Sequence, residues 1–563
     1  MSMVRRFALG AAAVLALAYN PAFPQDAHNH AQPAPRPTLS AWARGAQLFE
    51  GLGTFHRTVS TSSLEAQRYF DQGMRFIWAF NHDEATRSFA RAAQIDPGCA
   101  LCYWGVALTL GPNYNMPTMA EARARVGWEA LGRARVKAAK ATPVERALIS
   151  ALANRFAGPA PLDPANSAPR LKAYVAAMRA VAKRFPHDND VQTLFAEALM
   201  NTNPWKLWNA DGSPGPGTPE IVATLRHVLA ADPSHPGANH YLIHAVEASK
   251  NPEVALPSAE ALKAMMPGAG HLVHMPSHIM QRVGRYEEAA QANRLGAAAD
   301  LAYLKKTAPP DYYPMYLVHN YQFLAFAAAM EGRSAEAISA SRAARAAMPD
   351  AMLLVMPGLD WSIGYVYDAL IRFGRWDDML HEAAPDPRLG GLAIAFHQAR
   401  ATALAATGRT TEAERELATS QALMATVPSD AVQGMNTAQS VYEIGQRKAT
   451  ARLAAAMGDY ATAIPLLRQA SVREDKLAYN EPEDVFFPVR HVLGAMLLDA
   501  GRPTEAETVF REDLKRHPKN GWALAGLKAA LAAQRREQEA VSINLQLREA
   551  WANADRKIDQ AAY

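Results

Sequence analysis

Two stretches of this chain place histidine at spacings that can gather it in one place. The first reads His235-Pro236-Gly237-Ala238-Asn239-His240-Tyr241-Leu242-Ile243-His244-Ala245-Val246-Glu247, and the second His271-Leu272-Val273-His274-Met275-Pro276-Ser277-His278. His240, His244 and Glu247 stand at i, i+4 and i+7, and His271, His274 and His278 at i, i+3 and i+7. On helices each trio therefore forms one stripe. Imidazole-rich sets suit zinc, copper, nickel or iron, whereas calcium would need more carboxylates. Glu247 is the one carboxylate in the set. It is placed to join the ligands or to act as acid/base if the metal is catalytic. A lone helical histidine is ordinarily a surface or hydrogen-bonded core residue, but five on two stripes are hard to assign to chance packing. Pro276 interrupts helical hydrogen bonding inside the second stripe and marks a locally special backbone.

The elements that must hold these stripes are legible as a repeat. A glycine, a charged residue, two variable positions, an acidic or small residue and an alanine recur from Gly284 to Ala289, Gly332 to Ala337, Gly408 to Ala413, Gly458 to Ala463 and Gly501 to Ala506. Gly374-Arg375-Trp376-Asp377-Asp378 is a degenerate copy. Twelve residues after the alanine a proline closes several units, as from Ala85 to Pro97, Ala255 to Pro267, Ala337 to Pro349 and Ala506 to Pro518. Glycine ends one helix, alanine lets two helices approach, and proline stops the second. Alternating β patterns are absent, so the expectation is an all-α solenoid of helical hairpins with insertions.

This pattern resembles the tetratricopeptide repeat family over about residues 64–531, with the best tandem pair at 236–269 and 270–303. The chain is also similar to exported bacterial tetratricopeptide proteins that share FNHDEA at Phe80–Ala85, GPNYN at Gly111–Asn115 and HLVHMPSHI at His271–Ile279. That resemblance implies the fold and no established reaction. It also implies that His240, His244 and Glu247, with His271, His274 and His278, line a concave groove from two neighbouring first helices. Packed helix axes lie about 8–10 Å apart, so imidazoles from both can meet at one ion. Arg282 and His319 are groove-side candidates in the same register.

Around this centre the expected layout is a signal peptide at 1–24 and a mostly disordered lead-in at 25–63. An N-terminal array then spans 64–200, a Pro/Gly-rich insertion 201–219, the histidine-rich central array 220–350, a C-terminal array 351–535 and a helical tail 536–563. Arg5 and Arg6 before the apolar run Phe7–Ala18 read as a secretory leader too short to span a bilayer. The protein is therefore expected to be periplasmic or secreted, with no membrane span once the leader is removed. The 58 basic residues against 54 acidic ones give a net charge of only +4, too small a footprint for nucleic acid.

Cys99 and Cys102 are the chain's two cysteines, read as a disulfide or a thiol pair beside a helix start. The Asn-rich segments 111–115 and 201–205 read as loop caps, and Phe70, Trp78, Trp104, Trp361, Trp376 and Trp522 as core. His56 and His82 are further ligand candidates only if the array curls back on itself. HExxH, Walker, GxSxG and dinucleotide motifs are missing. Three readings follow for the groove: a transition-metal site, a metal-free scaffold for a peptide, protein or small molecule, and a metal-dependent enzyme with Glu247 as acid/base.

Overall fold

The glycines that mark the repeat sit where helices stop. In the computed structural model, which describes residues 38–562 apart from 118, 162–163, 308–312, 355–357, 557 and 559, Gly284, Gly332, Gly374, Gly408, Gly458 and Gly501 have φ between 63° and 79°. The next N–H reaches back to the carbonyl five residues earlier, as Arg285 does to Met280 at 2.8 Å and Arg409 to Leu404 at 2.9 Å. A left-handed residue at this point satisfies carbonyls that a helix end would otherwise orphan. The repeat alanines Ala289, Ala337, Ala413, Ala463 and Ala506 are fully buried, so the second helix of each hairpin can lie close against the first.

The result is all-α, a run of tetratricopeptide-type helical hairpins with insertions. Among the described residues the β structure is one two-residue pair, Val432–Gln433 with Asn436–Thr437, and an isolated bridge at Trp208 and Pro214. No described helix is long and apolar enough to cross a membrane.

Contacts divide the chain into two units, 38–279 with 295–316, and 280–294 with 317–562. The first unit pairs Leu64–Trp78 with His82–Ile95, Ala100–Leu110 with Glu121–Lys137, Asn189–Met200 with Thr218–Ala231, and Pro236–Val246 with Leu256–Leu262. The second pairs Gly390–Ala406 with Thr410–Met424, Ala438–Ala456 with Tyr460–Glu474, Val489–Asp499 with Pro503–Arg516, and Gly521–Ala533 with Glu537–Ala550.

This division departs from the three arrays expected from sequence. The 201–219 insertion is held by specific bonds: Trp208 Nε1 donates to the Ala245 carbonyl at 2.8 Å and the Thr218 hydroxyl to the Leu207 carbonyl at 2.6 Å. The first bond ties it to the helix that carries the first histidine stripe, and the second closes the insertion on itself. The expected tail supplies the second helix of the last hairpin, Glu537–Ala550.

The lead-in also needs correction from residue 38 onward. Leu39–Ala43 is a helix capped by Thr38, Arg75 donates to the Phe55 carbonyl, and Arg57 bridges Asp188 and Asp190. These specific polar bonds, with buried Trp42, Leu52 and Val59, hold a segment whose composition reads as loose. The expected signal peptide and residues 25–37 lie outside the described residues.

Candidate metal centre

His240 and His244 lie on the Pro236–Val246 helix, with Glu247 as its C-cap residue. The helix starts with proline at its first position, where a missing N–H costs nothing. His235 caps it, Nδ1 accepting from the Ala238 N–H at 3.0 Å. Gly237 then permits a close approach: a Cβ there would stand 2.3 Å from Trp78 Cε3. With Trp78 in that place, His240 Nδ1–H donates to the Trp78 carbonyl at 2.6 Å.

His271 and His274 lie on Gly270–His274, and His278 on Pro276–Arg282. The helical run breaks at Met275, as a proline without an N–H requires. All six residues of the two stripes are buried, none more than 3% exposed. They do not line an open groove, which corrects the expectation drawn from the repeat register.

The cover over the first three imidazoles is aromatic. Phe80 stacks against His244 at 5.5 Å with only 10° between planes, and its ring lies 4.4 Å from His240 and 5.7 Å from His271. Tyr114 and Trp205 lie 5.6 and 5.7 Å from His244, and Tyr316 lies 4.6 Å from His271. Asn115 donates to the Tyr316 hydroxyl and that hydroxyl donates to the Phe80 carbonyl, each at 3.2 Å. The Asn-rich segments read as loop caps thus also supply walls of the centre.

Phe80 and Trp205 are both left-handed, at φ 53° and 60°. Phe80 occupies the slot that glycine holds in the repeat, with Asn81 N–H reaching back to Phe76 at 3.0 Å and Ala85 fully buried. A large side chain in that conformation carries strain, which marks a place where the ring itself is needed. The sequence offered this signal in FNHDEA, whose Phe80 aligns with Gly284 of the clearest repeat.

Three of the histidines form a set. His240, His244 and His271 each bring a ring nitrogen within 4.8 Å of the others. His244 Nδ1–H donates to Glu247 Oε1 at 2.9 Å, so with His240 bound to Trp78 both rings present Nε2. Neither Nε2 has a hydrogen-bond partner, and neither nitrogen of His271 has one. Buried polar atoms are nearly always satisfied, and an unpartnered nitrogen on each of three neighbouring rings suits a cation. Burial first, then the neighbouring imidazoles, hold His240 and His271 well below the ordinary histidine value, leaving them neutral with lone pairs to offer.

Glu247 links this set to the second stripe. Its Oε2 stands 2.7 Å from His278 Nδ1, and His244, Glu247 and His278 also bring ligand atoms within 4.8 Å of one another. Burial opposes the Glu247 carboxylate, yet His244 and His278 outweigh burial and keep it ionised. His278 Nε2 and His274 Nε2 share a hydrogen bond at 2.6 Å, and the Ser277 hydroxyl lies 3.3 Å from His274 Nδ1.

Arg282 and His319 belong to the second unit, where Arg282 stands 5.6 Å above the Tyr479 ring and His319 meets Phe323 edge-on at 4.9 Å. His56 is bonded to Asp71 at 2.8 Å on a half-exposed surface. His82 packs on Phe80 at 5.7 Å, and burial with Arg123 and Arg155 pulls it down to about 3. Cys99 and Cys102 are joined in a disulfide at the start of Ala100–Leu110 and offer no thiolate.

No family model matches the chain and no curated protein matches it. Solved structures that align with it include a human IFIT1 dimer with m7Gppp-AAAA, at 11% identity and TM-score 0.29 over 88% of this chain and 92% of that one. The APC/C hetero-tetramer Cut9-Hcn1 aligns at 13% identity and 0.31 over 91% and 81%, and yeast Tom70 at 11% and 0.28 over 86% and 93%. Likenesses this loose carry no function to this chain, and its fold stands on its own helices.

Proposed function

We propose that the first unit holds one transition-metal ion, zinc, copper, nickel or iron, on His240, His244 and His271. The observation that carries this reading is the group of buried ring nitrogens without hydrogen-bond partners, gathered within 4.8 Å. The fit extends to the surroundings. Metal-bound histidines characteristically use their second nitrogen to donate to a carboxylate or carbonyl, as His244 does to Glu247 and His240 to Trp78. Glu247 is an orienting partner of His244 in this reading and not the acid/base of a reaction.

Turnover at a metal needs an open coordination position that substrate can reach. Rings of Phe80, Tyr114, Trp205 and Tyr316 against the histidines favour retention of the ion over reaction at it. The leader-like run Phe7–Ala18 after Arg5 and Arg6 supports a periplasmic or secreted setting for this activity. A peptide, protein or small-molecule partner would use the remaining faces of the hairpin scaffold.

The test is metal uptake by the chelator-stripped full chain, offered zinc, copper, nickel and iron separately. About one equivalent should bind tightly, and uptake should vanish in a His240→Ala/His271→Ala double variant that keeps its helicity. Uptake of none of the four by folded wild-type protein would overturn the reading in favour of a metal-free scaffold.

A further inference from the structure

The second unit contains a separate cavity of about 60 Å³. Its walls come from the helices Tyr365–Arg372, Gly390–Ala406 and Ala438–Ala456, together with residues 484–487. Lys448 and Arg452 stand one turn apart on one helix and face it from the same side, and Asp368 lines it from another helix.

No hydrogen bond or close ion pair joins these three charges to one another, although Asp368 and Lys448 feel each other's charge. Asp368 and Arg452 make no hydrogen bond or ion pair, although both are only half-exposed. Lys448 uses one N–H on the Phe487 carbonyl at 2.6 Å and stands 4.5 Å over the Phe487 ring, which leaves two donors. Asp484, also at the wall, is already satisfied by Asn436 and Asn480 at 2.7 Å each. Burial is the largest influence on all three charges: it raises the Asp368 carboxyl against the opposing pull of Lys448 and Arg372, and lowers the Lys448 and Arg452 cations against that of Asp368 and Asp499 respectively. Desolvated charges are costly unless something pairs with them.

We propose that this cavity binds a small free α-amino acid, its carboxylate on Lys448 and Arg452 and its ammonium on Asp368. Two adjacent cations with a carboxylate facing them match a zwitterion, whereas a simple anion would leave Asp368 unpaired and repelled. Size sets the class further. The volume holds roughly four to six water-sized groups, which admits glycine or alanine and leaves larger side chains outside. Apolar walls from Trp361, Phe486 and Phe487 lower the local dielectric around the ion pairs and strengthen them.

The experiment is calorimetric titration of the full chain with glycine and L-alanine, beside acetate, methylamine, N-acetylalanine, alanine amide and trialanine. The zwitterions should bind, each capped or single-charge analogue at least about tenfold more weakly, and Asp368→Asn and Lys448→Met should each weaken alanine to a similar degree. No binding of glycine or alanine up to about 10 mM would overturn the proposal. Equal binding of acetate would make this a plain anion site, and tighter binding of trialanine a site for a peptide end. Either result overturns it as well. The analogue series needs no substitution, so a variant that fails to fold leaves the test intact.

Discussion

His240 Nδ1 donates to the main-chain carbonyl of Trp78 at 2.6 Å. That contact fixes the tautomer and leaves Nε2 with its lone pair on a ring 4.9 Å from His244 and 5.0 Å from His271. It joins the first hairpin of the unit to the helix bearing the first stripe, 162 residues apart in sequence. The arrangement therefore depends on how Trp78 is seated, and Gly237 seats it.

Gly237→Ala should disturb both stability and metal binding. Its Cβ would meet the Trp78 ring at 2.3 Å, far inside contact distance. Overpacking of this kind costs about 1–3 kcal/mol, readable in a denaturant titration of the apo protein. The displaced carbonyl would release the His240 ring, so metal affinity should fall in the same variant.

Glu247→Gln should weaken the ion by about 10–100-fold without unfolding the chain. Glutamine keeps the shape and can still accept from His244 Nδ1, but loses the charge that raises imidazole basicity. Competition against a chromophoric chelator measures the loss, with circular dichroism as the control for helicity.

Phe80 tests whether the aromatic cover matters. Phe80→Gly supplies the residue that the repeat uses elsewhere and relieves the left-handed strain, while Phe80→Ala removes the ring and keeps the strain. Loss of a buried phenyl costs about 3–5 kcal/mol, and glycine should recover roughly 1 kcal/mol of that relative to alanine. Both variants should exchange bound metal faster than wild type in a stopped-flow chelator assay, because both open the cover.

The His491–Asp513–His517 cluster of the second unit should stabilise it most near pH 6.5. Asp513 sits between His491, at 2.8 Å, and His517, at 3.1 Å, and His517 also lies 3.0 Å from Glu483. Burial disfavours the His517 cation, but Glu483 and Asp513 outweigh burial and lift it from 6.5 to about 10. Its stabilisation is complete below 6.5 and is lost as pH rises toward 10. Burial pulls His491 from 6.5 to about 4, with Arg372 acting the same way. Its contribution is complete above 6.5 and is lost as pH falls toward 4. Relative to wild type, His517→Gln should flatten the fall of the thermal midpoint on the alkaline side, and His491→Gln the fall on the acid side.

The hairpins were legible because their requirements are local. Gly284 or Gly408 must turn left-handed within one loop, and Ala289 or Ala413 must be small where two consecutive helices touch. The histidine stripes were legible for the same reason, since i, i+3, i+4 and i+7 define a helix face without knowledge of its neighbours. What closes over that face was not. Phe80, Tyr114, Trp205 and Tyr316 come from four segments, and no periodicity says that they meet. The register therefore suggested an open groove where the rings make an enclosed centre. Sequence also left residues 38–63 loose, because Arg57 with Asp188 and Asp190 is a pairing across more than a hundred residues.

The most direct test is elemental analysis with X-ray absorption on protein purified untagged from its native compartment. The account predicts about one equivalent of zinc, copper, nickel or iron, coordinated by imidazole nitrogen, and lost in the His240→Ala/His271→Ala variant with helicity unchanged. Protein that is folded and metal-free, or whose metal survives that double substitution, would contradict it.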